Sequence, residues 1–361
     1  MITIDELARA LGAEAVGDGS LAVRGAAEPA AARPDDIALA MQPAFAEDLG
    51  RGRARAAILW PEADWQALGL AAAIRAPRAR YVLAGIGRVF DRPPEIAPGI
   101  HPSAVIDPSA TIGPDAAVGP LVVIGARARI GARARIFSHT SIAEDAVVGD
   151  DALILQGVRI GARVRIGDRF IAQPGAVLGG DGFSFVTPQP GIVEEARATG
   201  TITAREQQEY VRFSSLGSVV VGHDVEVGAN TCIDRGTIAD TTIGDGTKID
   251  NLVQLGHNVK VGRTCLVCGQ VAVGGSTVIG DRVVLGGRAA VADHLTVGAN
   301  SVITGNSGVA SNVPPGRIMM GYPAVRMDQN VEIYKALRRL PRLMARLDAA
   351  QKPVSNPAAT D

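Results

Sequence analysis

From Ile100 onward an aliphatic residue returns at every sixth position: Ile106, Ile112, Val118, Ile124, Ile130, Ile136, Ile142, Val148, Ile154, Ile160 and Ile166. The beat resumes at Val221, Val227 and Ile233, and runs again from Ile243 in sixes to Val309. The steps Ile233 to Ile238 and Ile238 to Ile243 read as one residue short each, a slip of register. A fixed short period constrains architecture before any local propensity does. Three hexads can close one triangular coil, with short parallel strands as faces and Gly, Asp or Asn at corners that need unusual dihedrals. The aliphatic of each hexad then points inward and stacks on its equivalent one coil away, about 4.8 Å along the axis. Each buried Ile, Leu or Val contributes about 1.5–3 kcal/mol, so some tens of them outweigh the entropy of the corners. The expected fold is mainly β, a parallel β-helix. Abundant glycine (43) and few aromatics (4%) suit such a repetitive core better than a layered one.

The chain has 361 residues, room for two or three domains. A formal net charge of −1 gives no nucleic-acid footprint in bulk. Three cysteines, Cys232, Cys265 and Cys268, are too few for a disulfide framework and suggest a reducing compartment. Met1–Glu6 lacks the basic flank and apolar stretch of a signal peptide. No run approaches the ~20 apolar residues of a spanning helix, so a soluble, cytoplasmic protein is expected.

Residues 1–98 lack the beat. Thr3 and Glu6 fit a capping box ahead of a short helix closed by Gly12. Strand-like runs follow at 21–26, 36–41, 56–60 and 81–83, with Ala/Leu-rich helical pieces between, so a small N-terminal α/β domain is expected. The helix domain spans 99–316, interrupted by an excursion over 184–215 read as a loop projecting from a corner. Its polar run 204–209 belongs to that loop. A C-terminal α-helical extension over 317–352 places Val331, Tyr334, Leu337, Leu340, Leu343 and Leu347 on one face, with Pro341 kinking it. Residues 353–361 read as a disordered tail. The N-terminal domain and the terminal helix are placed to cover the open ends of the solenoid.

Chemistry concentrates at Asp250-Asn251-Leu252-Val253-Gln254-Leu255-Gly256-His257-Asn258, an imidazole, a carboxylate and amides inside an apolar beat. His101, His139 and His223 read as structural corner residues. Asp250, seven positions before His257, reads as lying near the same corner and orienting the ring. His294 lies two coils and one residue beyond His257, about 10 Å along the axis, too far for shared metal ligation in one chain. No metal is expected, since no third ligand completes a zinc set. Cys265 and Cys268 read as core fillers. Gly179-Gly180-Asp181-Gly182-Phe183 precedes no helix and is not a phosphate loop; it is either a tight corner or a loop approaching a ligand or neighbouring subunit. Lys335, Arg338, Arg339, Arg342 and Arg346 form a basic face, either solvated, for an acidic protein partner, or for a membrane surface.

Ile233-Asp234-Arg235-Gly236, Asp240-Thr241-Thr242-Ile243-Gly244 and Lys248 through Asn258 closely resemble the UDP-3-O-(3-hydroxyacyl)glucosamine N-acyltransferase family of lipid A biosynthesis, hexapeptide-repeat acyltransferases. Gly99-Ile100-His101-Pro102, Gly180-Asp181-Gly182-Phe183 and Pro314-Pro315-Gly316 fit it as well, and the likeness covers the whole chain. The resemblance implies a left-handed coil, where βαβ sterics alone favour right-handed crossovers. It also implies a homotrimer with sites in clefts between neighbouring helices. The implied donor is a 3-hydroxyacyl group on acyl carrier protein, whose 4′-phosphopantetheine arrives with it, so no resident cofactor is expected. The implied acceptor is the 2-amine of UDP-3-O-acylglucosamine. On this resemblance His257 is the base and His294 the second active-site histidine. Asp250 supplies the carboxylate, and Asn251, Gln254 and Asn258 the amides. From the residues themselves, backbone N–H groups around Gly275, on the coil following His257, are expected to stabilise the oxyanion. In the N-terminal domain the family's aromatic and Asn-Pro-Lys-Tyr pattern is altered to Leu39-Ala40-Met41-Gln42-Pro43-Ala44-Phe45. Phe45 can still stack on uracil and Gln42 can bond its edge. The alternatives are a UDP-N-acetylglucosamine O-acyltransferase and a coenzyme A-dependent sugar acetyltransferase; from a different class stands a non-catalytic β-helical scaffold.

Overall fold

The computed structural model describes residues 1–189, 191–203, 209–321 and 324–351. It forms two compact units, Met1–Glu95 and Ile96–Asp361.

In the first unit a short strand β1 (Ile2–Thr3) leads into helix α1 (Ile4–Leu11). The expected capping box is present: the Glu6 N–H donates to Thr3 Oγ1, and the Thr3 N–H to Glu6 Oε2. Gly12 closes the helix at φ 61°, a conformation that costs glycine least. Strands β2 (Glu14–Gly17), β3 (Ala22–Val23), β4 (Gly25–Ala27), β5 (Asp36–Ala40), β6 (Ala56–Leu59) and β7 (Ala72–Arg75) follow. The main sheet has the order β2-β7-β6-β5-β4, parallel except for β2 against β7. Two local expectations fail. Ala72–Arg75 reads as helical by composition, yet Ala72, Ala73 and Ile74 are fully buried inside the sheet, where small side chains let both faces be covered. Tyr81–Leu83 reads as a strand but lies within a helix, Ala79–Phe90, because a helical period turns Val82 and Ile86 onto the core.

The second unit is the parallel β-helix. Three sheets of nine, eleven and ten strands form its faces among the described residues. Inward aliphatics stack in register, as in Ile112↔Ile130↔Val148↔Ile166 on one face. Corner residues such as Asp145, Arg163, His139 and Asn258 sit near φ +60° although they are not glycine. That cost is spread over many corners and offset by a continuous core of Ile, Val and Leu. Bidentate Arg–Asp pairs between stacked corners line the outside: Arg127–Asp145, Arg133–Asp151 and Arg169–Asp224.

Where the beat breaks, the structure departs from the simple reading. Ile233 pairs in register with Leu255, and Val221 with Ile243. The chain between Ile233 and Ile243 is therefore one enlarged corner, not two short steps, and Ile238 is 73% exposed on its outside. Arg235 holds that corner: Nε donates to the Gly217 carbonyl and Nη2 to the Ala162 carbonyl, each at 3.0 Å. The excursion also carries structure of its own. An antiparallel hairpin pairs Phe185–Val186 with Val211–Arg212, and a helix spans Ile192–Thr199. Residues 204–208 of the polar run lie outside the described residues.

The terminal helix spans Met327–Gln351 and continues through Pro341. Its apolar residues Val331, Tyr334, Leu337, Leu340, Leu343 and Leu347 are all exposed, so it does not cover the end of the coil as expected. The final coil is instead finished by strand Ile318–Met319 against Val302–Ile303 and by Val313 bridging Val297. The tail over 353–361 lies outside the described residues. No described helix is long and apolar enough to cross a membrane.

Candidate active site

Both irregularities of the coil meet at His257. The residue follows strand Gln254–Leu255 at a corner, and its ring is half-buried. Its Nδ1 lies 3.1 Å from Oδ1 of Asn258. The amide of Asn258 is itself fixed: Oδ1 accepts the Thr237 N–H at 3.0 Å and Nδ2 donates to the Ala239 carbonyl at 2.8 Å. An amide oxygen cannot donate, so in the neutral ring Nδ1 carries the proton and Nε2 the lone pair. The enlarged corner of residues 234–240 thus sets the tautomer of the imidazole.

Two glycines enclose the ring. A Cβ on Gly182 would fall 2.8 Å from the Cβ of His257, and one on Gly275 would fall 2.7 Å from both Cε1 and Nε2. Gly182 is buried and lies at the root of the excursion; Gly275 lies on the following coil. Of the two readings of Gly179–Phe183, the structure therefore supports a loop that approaches a site.

A groove of about 920 Å³ opens beside the ring, lined by Asp181, Phe183, Asp234, Gln254 and His257 at one end. Ala272, Ala290 and Gly308 carry it along the coil. They stack in register on the outward side of one sheet, each followed by an inward Val. Three strand spacings from Gln254 to Gly308 make a trough about 14 Å long.

Asp234 also enters this groove, although its place in the sequence beat does not mark it as a site residue. Its Oδ2 accepts a hydrogen bond from Gln254 Nε2 at 3.0 Å. Burial pushes its carboxyl above the ordinary range, opposed by the Gln254 bond and by His257. The signal that finds it is pairing: Ile233 stacks on Leu255, which sets the residues after both at one edge.

Asp250 does not meet the expectation of orienting His257 within its own chain. Equivalent corners recur once per coil, whereas one hexad moves to the next face. Asp250 follows a strand of the eleven-stranded sheet and His257 one of the ten-stranded sheet, so a whole face separates them. Asp250 is exposed, and its Oδ1 accepts the N–H of Asn251 at 2.7 Å. Asn251 ties adjacent coils, its Oδ1 accepting the Ala229 N–H at 2.6 Å. His294 is an exposed corner residue at φ 58° whose N–H donates to the Gly275 carbonyl; it does not line the groove. Gln42 and Phe45 lie in the first unit, exposed around a short 3-10 turn, Pro43–Phe45. His101 bonds locally to Ser103, and Nδ1 of His223 accepts the Asp168 N–H from the adjacent coil. Cys265 is fully buried, with burial raising its thiol pKa, as a core filler should be.

The sequence profile of the GMPPB C-terminal domain matches residues 100–183. The UDP-3-O-acylglucosamine N-acyltransferase of Ruegeria pomeroyi is 61% identical over 360 residues, 99% of each chain. That of Paracoccus denitrificans is 61% identical over 347 residues, covering 96% of this chain and 95% of its own. Among solved structures, an Arabidopsis UDP-N-acetylglucosamine acyltransferase aligns with a TM-score of 0.47 at 21% identity, over 61% of this chain and 72% of that one. Identity sustained through both units, the N-terminal one included, places the chain in the UDP-3-O-acylglucosamine N-acyltransferase family.

Proposed function

We propose that the chain transfers a 3-hydroxyacyl group from the thioester of an acyl carrier protein to the 2-amine of UDP-3-O-acylglucosamine. The observation that carries the chemistry is the fixed tautomer of His257, with Nε2 bare at the end of an apolar trough. An amino-sugar nitrogen, comparable to an α-amine of pKa about 7.7–8, must lose protons as it attacks. His257 Nε2 takes one of them, and Asn258 Oδ1 holds Nδ1–H through the step. The C–N bond forms, the C–S bond breaks, and the proton on Nε2 passes to the departing thiolate.

The Gly275 N–H, which donates to no backbone acceptor among the described residues, is the proposed oxyanion donor. The Ala272–Ala290–Gly308 trough takes the acyl chain. Asp250, Asn251 and His294, which one chain keeps out of the groove, would reach it from a neighbouring subunit of a homotrimer. In the first unit Phe45 stacks on uracil and Gln42 bonds its edge. The exposed Lys335, Arg338, Arg339, Arg342 and Arg346 dock the acidic carrier protein. A soluble, cytoplasmic setting fits these substrates.

The test is acyl transfer by purified protein, comparing carrier-protein and coenzyme A thioesters with UDP-3-O-acylglucosamine as acceptor. Transfer from the carrier thioester alone is expected, and His257→Ala should lose roughly 10²–10⁴-fold in rate. Transfer only from coenzyme A, or full turnover by His257→Ala, overturns the proposal.

A further inference from the structure

The charges in the groove do not balance. Its lining includes two carboxylates, Asp181 and Asp234, and one imidazole, with no lysine or arginine. Arg212, from the hairpin, reaches Asp181 at 4.0 Å. Arg235, next to Asp234 in sequence, turns away to the carbonyls of Gly217 and Ala162. Cys232, on the same strand, supplies no cation, and burial and Asp234 both raise its thiol pKa. Asp234 therefore forms no ion pair among the described residues, and the neutral amide of Gln254 is its side-chain donor. A half-buried carboxylate without a counter-ion is costly, and a cation entering the groove would relieve that cost.

We propose that Asp234 is the anionic subsite that receives the acceptor's ammonium group and so selects an amine over a hydroxyl acceptor. The proposal rests on the acceptor assigned above. At neutral pH an amine with pKa about 7.7–8 arrives mostly protonated. Asp234 accepts two-centre, charge-assisted hydrogen bonds from it at the mouth of the trough, next to the bare Nε2 of His257. One ammonium proton leaves to solvent, a second passes to Nε2 as the C–N bond forms, and the leaving thiolate takes the latter. A hydroxyl acceptor offers one neutral donor and leaves the carboxylate charge unmatched, which is the kind of penalty that discriminates substrates strongly. Asp234 has one evident competing duty, to stabilise the imidazolium of His257. That duty acts on turnover and is blind to whether the acceptor is an amine or an alcohol.

The experiment is equilibrium binding of UDP-3-O-acylglucosamine and of the matched sugar nucleotide with a 2-hydroxyl, at pH 6.5 and 9.5. It uses the full-length protein, Asp234→Asn and Asp234→Glu, with turnover measured in parallel. The wild type should prefer the amine roughly ten- to hundredfold at pH 6.5. The preference should shrink at pH 9.5, where the amine is neutral; this arm needs no variant. Asp234→Asn should bring the two ligands to near-equal affinity at pH 6.5, and Asp234→Glu should keep a preference. A preference that survives in Asp234→Asn, or that ignores pH in the wild type, overturns the proposal. So does a loss confined to kcat, which would assign Asp234 to the imidazolium. Absence of any acyl transfer by the wild type would instead remove the assigned reaction, while the binding arms still report on Asp234.

Discussion

Gly182 packs against the side chain of His257, so closely that a single methyl group there would fall 2.8 Å from the histidine Cβ. The contact links His257 to the root of the excursion, where Asp181 nears Arg212 and Phe183 stacks edge-on to Phe185 at 5.1 Å. Gly182→Ala must therefore displace the ring or the loop. A displacement near 1 Å at a reacting group costs about a hundredfold in rate. We expect kcat to fall by that order with the acceptor KM changed little, since the groove's other walls stay in place. Steady-state kinetics beside a thermal melt checks this; an unchanged kcat would show that the loop yields and the ring does not.

Asn258→Ala removes the acceptor of the Nδ1 proton and uncaps the Thr237 N–H and the Ala239 carbonyl together. Two effects are expected: a rate loss on the order of a hundredfold, and destabilisation of about 1–3 kcal/mol from the stranded backbone groups. Asn258→Asp keeps the acceptor and loses the donor, so it should recover most of the rate and little of the stability. Denaturant unfolding and kcat measured on both variants decide it; parallel losses in the two would remove Asn258 as the orienting group.

The enlarged corner can be tested through its isoleucines. Ile238 is 73% exposed and Ile243 only 3%. Ile243→Ala should cost about 2–5 kcal/mol as a cavity in the stacked core, and Ile238→Ala less than about 0.5 kcal/mol. Equal costs in chemical denaturation would restore Ile238 to the inward column.

Acid should weaken the coil through its Arg–Asp pairs. Hydrogen bonds from Arg127, Arg133 and Arg169, and then their charge, hold the carboxyls of Asp145, Asp151 and Asp224 below the usual range. A carboxyl depressed in the fold lends stability above its unfolded pKa, near 3.9, and loses it as pH falls through the folded value. The triple variant Arg127→Gln, Arg133→Gln, Arg169→Gln should therefore melt only slightly below the wild type at pH 7, exposed pairs being weak, and converge with it in acid. Its melting temperature should decline less steeply than the wild type's between pH 5 and pH 2. Superimposable pH profiles would mean that these pairs carry no linked stability.

Much of the coil was legible because its period is carried by inward side chains with one job, to stack on their equivalents. Ile238 misled for the same reason: an aliphatic near the right count looks like a beat residue, and only pairing of Ile233 with Leu255 shows that it is not. In the first unit, Ala72–Arg75 was hidden because alanine favours helix locally while burial on both faces favours strand. His257 stood out by its polar company. Asp250 lies apart from His257 because nearness in sequence is not nearness on the coil, where six residues lead to another face. Asp234 is hard to find in the sequence because its neighbours, Gln254 and His257, come from the following coil across a corner of irregular length.

The trough beside His257 is assembled from identical layers, since strand partners on its floor lie one 18-residue turn apart, as Ala272 and Ala290 do. Its length is consequently graduated rather than continuous. A whole inserted or deleted turn moves the end by one notch of about 4.8 Å, while the bulk of a single outward side chain, such as the missing one at Gly308, trims within a notch. A whole turn and a single outward side chain are therefore a coarse and a fine adjustment of the trough, neither of which touches the imidazole.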